Sequence, residues 1–205
     1  MRYLPHQAVL TPYKSTTKLR VVYDASARSK NGIILNEAHY QGPIILPQLV
    51  GILLRARGYP IVAVGDVEKA FLQISLYPSE RDVTRFLWVQ DISLLAEGSN
   101  LIPYRFTRVP FGIVSSPFLL AAVLQRQLET ENSWLANSIK ENLHVDNVLI
   151  GITEREQAKK AYTEAKQIFK SALMNLRDFY TNDESLASEI PEGGRGTKKK
   201  SLSWG

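Results

Sequence analysis

The chain has 205 residues, 44% of them hydrophobic, with a formal net charge of +5 and a pI near 9.4, so wholesale disorder is excluded and one sizeable domain or two small ones are expected. It contains no cysteine, which excludes disulfides and thiolate metal sites, while the mild basicity suits a polyanionic partner. No apolar run approaches the roughly 20 residues that span a bilayer, and MRYLPHQAVLTPYK lacks the apolar centre of a secretory signal, so an intracellular, cytoplasmic protein is the expectation.

Residues 1–17 read as extended and rich in Pro and Thr. KLRVVYDAS reads as a strand through Val21, Val22 and Tyr23, ending at Asp24 and the polar turn SARSKNG. LPQLVGILLRARG predicts a helix with Pro47 in its first turn, Leu49, Ile52, Leu53 and Ala56 on one face, and Gly58 at its end. IVAVGD is a short buried strand stopping at Asp66. TRFLWVQ and PYRFTRV, residues 84–90 and 103–109, predict two strands joined by the loop DISLLAEGSNLI. SSPFLLAAVLQRQLE opens a helix with a Ser cap and Pro117 at the first helical position.

In ENLHVDNVLIG, Asp146 and Asn147 predict a two-residue hairpin turn between β-formers. Thr153 and Glu156 predict a capping box for a helix whose stripe is Ala158, Ala161, Tyr162, Ala165, Ile168, Phe169 and Ala172. The tail EGGRGTKKKSLSWG is basic, and its LSW is a candidate last strand. Strands and helices interleave without strict βαβ alternation. The expected fold is α+β, with helices on one side of a mostly antiparallel sheet.

Two carboxylates carry the chemistry. Asp66 ends the apolar strand IVAVG, where a charge is costly unless capped, paired or metal-bound; its plain reading is a cap for the turn VEKAF. Asp146 sits in the hairpin. Oxygen ligands from adjacent strands can hold Mg²⁺, which takes one or two carboxylates and leaves other positions for phosphate oxygens. Two such ions would stabilise both oxygens of an in-line phosphoryl displacement.

GDVEKAF, VPFGIVSSPF and HVDN, in that order, resemble the core of the reverse transcriptases. LRVVYDASA, YLPH, and NLRDFYTND followed by SLSW are most similar to the BEL/Pao class of LTR retrotransposons. The resemblance implies a polymerase palm with partial fingers and no complete thumb. It divides the chain into partial fingers (1–46), a first part of the palm (47–75), more fingers (76–113), palm with the HVDN hairpin (114–190), and a basic flexible tail or start of a thumb connection (191–205).

The resemblance also implies roles. Asp66 and Asp146 would be catalytic metal ligands, with Asn147 as a degenerate third position and the Val67 carbonyl as a further ligand for two Mg²⁺ or Mn²⁺ ions. Phe71 matches the aromatic beneath the incoming sugar, though by itself it reads as a core aromatic. Arg20 matches the arginine on the nucleotide triphosphate, helped by Lys18 or Lys14; unaided it reads as a solvated strand charge. Pro110, Phe111 and Gly112 would lie by the templating base, with plain packing the other reading of Phe111. MNLRDF, residues 174–179, would support the primer end. Implied partners are an RNA template, a DNA primer, dNTPs, and the RNase H and integrase parts of a polyprotein.

The hairpin departs from the family pattern Tyr-Val-Asp-Asp at two positions, His144 and Asn147. A missing charge at about 4 Å and an effective dielectric of roughly 20 is worth on the order of 4 kcal/mol, up to roughly 10³ in rate, less whatever water or Glu68 restores. An impaired polymerase is therefore expected. His144 fills the tyrosine's place or acts as an acid or ligand. The rival readings are a non-catalytic nucleic-acid-binding remnant and an unrelated α+β interaction scaffold. The scaffold requires Asp66 and Asp146 to lie far apart.

Overall fold

The computed structural model describes residues 2–12, 19–28 and 32–196. In chain order the elements are β1 (His6–Leu10), β2 (Leu19–Tyr23), α1 (Leu35–Ala38), α2 (Leu49–Ala56), β3 (Ile61–Val67), β4 (Arg85–Val89), β5 (Leu101–Arg105), α3 (Ser116–Glu131), α4 (Trp134–Glu141), β6 (Leu143–His144), β7 (Asn147–Ile152), α5 (Arg155–Ser171), β8 (Leu176–Thr181) and α6 (Glu184–Glu189). Short 3₁₀ turns cover Ala70–Gln73, Pro78–Thr84, Gly98–Asn100 and Glu192–Gly194. None of the described helices is long and apolar enough to cross a membrane.

The chain divides into two units, Met1–Pro43 with Phe71–Leu119, and Ile44–Ala70 with Leu120–Gly205. The first unit holds two antiparallel ribbons. In one, β1 pairs with β2 from His6 opposite Tyr23 to Leu10 opposite Leu19. In the other, β4 pairs with β5 from Arg85 opposite Arg105 to Val89 opposite Leu101. Their aromatic side chains meet: Tyr23 lies 4.9 Å from Phe86 and 4.8 Å from Phe106, edge-on. Leu4, Ala25 and Ile113 form the buried centre, with Tyr23, Leu35 and Phe86 packed against it.

The second unit is built on a four-stranded sheet in the order β6-β7-β3-β8, antiparallel throughout. β3 is buried almost end to end because both its faces are used. On one face, Val62 packs with Leu149 of β7 against Ile52 and Ala56 of α2. On the other, a Cβ on Gly65 would come 2.9 Å from the Phe179 ring and 3.2 Å from Leu176. Phe179 in turn meets Tyr162 of α5 at 4.8 Å. The α5 stripe buries Ala158, Ala161, Ala165, Ile168 and Phe169, as its periodicity predicts. The α+β expectation of helices on a mostly antiparallel sheet thus holds for this unit, but α2 and α5 lie on opposite faces rather than on one side, because the residues of β3 on both faces are apolar. By strand alternation, Asp66 projects with Val62 and Val64 from the face opposite α5.

Several local expectations are corrected. The hairpin turn is Val145–Asp146, closed by His144 opposite Asn147, so Asn147 is the first residue of β7 rather than a turn residue. No capping box forms: the residue preceding α5 is Glu154, without a side-chain cap. Ser116 is the first residue of α3, and its hydroxyl donates back to the Pro110 carbonyl at 2.8 Å instead of capping the helix, which puts Pro117 second. In α2 only Ile52 and Ala56 are buried, Leu49 and Leu53 stay exposed, and Pro47 precedes the first turn. The candidate LSW strand lies outside the described residues.

Elements without a sequence signal also appear. β8 hides its pattern because Asp178 is an extra residue: Val64 faces Tyr180 and Asp66 faces Arg177, two steps on β3 against three on β8. Asp178 has φ +52°, and the bulge puts Leu176 and Phe179 on the same face despite their spacing of three. α4 is capped by Ser133, whose hydroxyl accepts the Ala136 N–H at 3.1 Å.

Candidate active site

Asp66 and Asp146 are brought together at one end of the second unit's sheet. Asp66 faces Asn147 across the β3–β7 ladder, and one residue further the Val67 N–H donates to the Asp146 carbonyl at 2.8 Å. The hairpin holds Asp146 there through a strained turn: Val145, a β-branched residue, has φ +58°. Such a residue at positive φ costs on the order of 1–3 kcal/mol and persists only where its surroundings over-determine it. Val148, Leu149 and Ile150 behind the turn are buried and anchor the hairpin.

The two charges feel each other. Burial raises the Asp66 pKa, the Asp146 carboxylate raises it further, and Asp178 and Glu68 add to the rise; Arg177 opposes it, and the result is about 6. The groups around the pair are fixed. The Asn147 amide donates to Asp146 Oδ1 at 2.9 Å. Asn175 Nδ2 donates to Glu68 Oε2 at 3.0 Å, and the Glu68 N–H donates to the Asn175 carbonyl at 2.8 Å. The Asn175 side-chain bond first, and then the Arg177 and Lys69 charges, hold Glu68 below its ordinary pKa. Arg177 Nη1 lies 3.2 Å from Glu68 Oε1. His144 is half-buried with Nδ1 enclosed and without a hydrogen-bond partner.

This arrangement fits a hard divalent cation. The Asp66 carboxylate on β3 and the Asp146 carboxylate in the adjoining hairpin turn repel each other, and a cation between them would relieve that repulsion. Mg²⁺ is held by as few as one or two carboxylates when phosphate oxygens and water complete its shell. No group of three or more His, Asp and Glu suited to a metal converges among the described residues, so a cation here depends on those further oxygens. Glu68 is already engaged by Asn175 and Arg177. A chance pair on an unrelated scaffold, which needs the two aspartates apart, does not describe this geometry.

The other candidate residues belong to the first unit. Phe71 is buried and meets Phe111 edge-on at 4.8 Å, while Phe111 is 54% exposed. Gly112 has φ +88°, and a Cβ there would lie 3.0 Å from the Tyr23 carbonyl, so both backbone and space require glycine. Asn36, which the sequence did not single out, buckles this loop: its amide donates to the Gly112 carbonyl at 3.0 Å and to Ser26 Oγ at 2.9 Å, and its oxygen accepts the Val114 N–H at 3.0 Å. Arg20 is exposed on β2 opposite Val9. Lys14 and Lys18 lie outside the described residues.

Sequence reasoning also passed over Arg177 as a neighbour of Asp66. A strand reading of NLRDFYT would have found it, but the bulge breaks the alternation on which that reading depends.

Residues 12–178 match the family model described as reverse transcriptase (RNA-dependent DNA polymerase). No curated protein matches the sequence. Among solved structures, the fold is similar to a mutant of the prototype foamy virus protease-reverse transcriptase, with TM-score 0.63 and 18% identity over 85% of this chain and 20% of that one. It is similar to the foamy viral protease-reverse transcriptase in complex with RNA/DNA hybrid, with TM-score 0.60 and 17% identity over 83% of this chain and 19% of that one. A further form of that protein, in complex with double-stranded DNA, aligns with TM-score 0.62 and 18% identity over 85% and 26% of the two chains. At these identities the likeness is one of fold, and the chain spans about a fifth to a quarter of those proteins' length.

Proposed function

The chain belongs to the reverse transcriptase family, and from that premise we propose that it is the fingers-and-palm part of a BEL/Pao-type retrotransposon reverse transcriptase, adding dNTPs to a primer 3′ end on an RNA template. The observation that carries this reading is the meeting of Asp66 and Asp146 across β3 and the β6–β7 hairpin. Bound to them, Mg²⁺ or Mn²⁺ supplies electrostatic stabilisation of the attacking and leaving oxygens of phosphoryl transfer. The chain's own part is positional: the sheet fixes one carboxylate, the strained hairpin the other, and the Val67 carbonyl is a further oxygen at the end of the strand.

In this reading residues 1–46 and 76–113 serve as fingers and residues 47–75 and 114–190 as palm. Phe71 lies beneath the sugar of the incoming nucleotide, Phe111 and Gly112 lie by the templating base, and Arg20, with Lys18 or Lys14, takes the triphosphate through charge-assisted bonds. The spellings LRVVYDASA and NLRDFYTND support the BEL/Pao class. RNA template, DNA primer and dNTPs are the partners, with RNase H and integrase as polyprotein neighbours.

Synthesis by this chain is impaired at Asn147. Its side chain is exposed at the start of β7, opposite Asp66, where a carboxylate would add a charge. Its amide instead donates to Asp146 and occupies an oxygen that a cation would use. The same bond favours a second reading, a copy that binds nucleic acid without incorporating nucleotide. Primer extension on an RNA template, with Mg²⁺ and then Mn²⁺, separates them. The chain, Asn147→Asp and Asp66→Ala are compared. The polymerase reading predicts that Asn147→Asp gains activity, up to roughly 10³-fold, and that Asp66→Ala has none. Salt-sensitive binding of an RNA–DNA hybrid without incorporation by either of the first two proteins selects the binding role.

A further inference from the structure

Arg177 stands on β8 in register with Asp66. Its Nη1 is 3.2 Å from Glu68 Oε1, and its Nε is 3.9 Å from Asp178 Oδ2. That Nε is buried and donates no hydrogen bond, although a buried donor left unpaired costs on the order of 1–3 kcal/mol. The guanidinium is tethered rather than loose: Glu68 is itself held by Asn175 through a side-chain and a backbone bond. The positive φ of Asp178 forms the bulge that turns Arg177 into register with Asp66. One permanent positive charge thus sits among Asp66, Glu68 and Asp178, with Asp146 beside Asp66.

We propose that Arg177 is the resident counter-ion of the Asp66–Asp146 pair, supplying part of the positive charge that a divalent cation brings and so limiting how tightly the pair takes that cation. The inference rests on reading those two aspartates as the cation-holding pair. Arg177 acts on the cation through Asp66 and is a positioning residue. A guanidinium in register with Asp66 competes with an incoming cation, so its removal strengthens cation binding. A purely structural role predicts the reverse, because loosening β8 against β3 would scatter the ligands.

The test is Mn²⁺ binding, followed by the loss of the free-ion paramagnetic resonance signal, on the full chain and on Arg177→Gln, Arg177→Lys and Asp66→Ala. Arg177→Gln is expected to bind Mn²⁺ about tenfold more tightly, the scale of one unit charge several Å away in a half-solvated site. Arg177→Lys, which keeps the charge, is expected within about threefold of wild type on the same scale. A folded Arg177→Gln that binds no more tightly than wild type overturns the proposal. If the glutamine variant does not fold, a large loss of affinity in Arg177→Lys overturns it instead. Wild-type affinity in Asp66→Ala removes the underlying pair reading, and the counter-ion with it.

Discussion

Replacing Asp66 by Asn should make the metal-free protein more stable at neutral pH. The Asp66 pKa rises from 3.8 to about 6 on folding, first through burial and then through the Asp146 charge. A raised carboxylate pKa means that the folded state keeps its proton between about pH 4 and 6 while the unfolded chain gives it up. Stability therefore falls as pH rises through that window, and the full penalty is present above it. Taken whole, the rise corresponds to about 3 kcal/mol; half-burial and solvent screening reduce it to about 1–1.5 kcal/mol. For a chain of this size that is about 3–5 °C in melting temperature. Asn keeps the shape and removes the charge. Thermal unfolding monitored by circular dichroism in EDTA, at about pH 7.5 and again near pH 4, should show the variant melting higher at the first pH and level with wild type at the second. Equal melting at about pH 7.5 would refute the electrostatic account of the site. Added Mg²⁺ should stabilise wild type and leave the variant unmoved.

Gly65→Ala places a methyl group 2.9 Å from the Phe179 ring and 3.2 Å from Leu176, so urea unfolding should report a loss of about 1–3 kcal/mol, together with weaker cation binding at the adjoining Asp66. Asn36→Ala leaves the Gly112 carbonyl and the Val114 N–H without their partner; a loss of about 0.5–1.5 kcal/mol and faster proteolysis after Phe111 should follow.

The two aspartates of the candidate site were legible in the sequence because each lies in a short local spelling. An aspartate after IVAVG must end a buried strand, since a charge is costly inside it. Asp146 between two apolar runs must sit at a hairpin, and α5 shows its buried face through a 3.6-residue period. Capping was less legible. Thr153 and Glu156 have the spacing of a capping box, yet α5 starts after Glu154 and needs no side-chain cap. The turn was misassigned by one residue because Asn147 tolerates positive φ better than Val145 does, while the strand register placed the strain on Val145.

The sequence by itself determined which residues are apolar at which period, and therefore β3, α3, α5 and the two aspartate-bearing ends. Only the tertiary structure decided that Asp66 meets Asp146, that Asn147 faces Asp66 from a strand, and that Arg177 reaches the same place from β8. The reason is physical. Periodicity records which side of an element is buried, whereas the distance between two polar groups depends on strand order, register and a single bulge residue. Those are set by the packing of the whole sheet, which leaves no local trace in the chain.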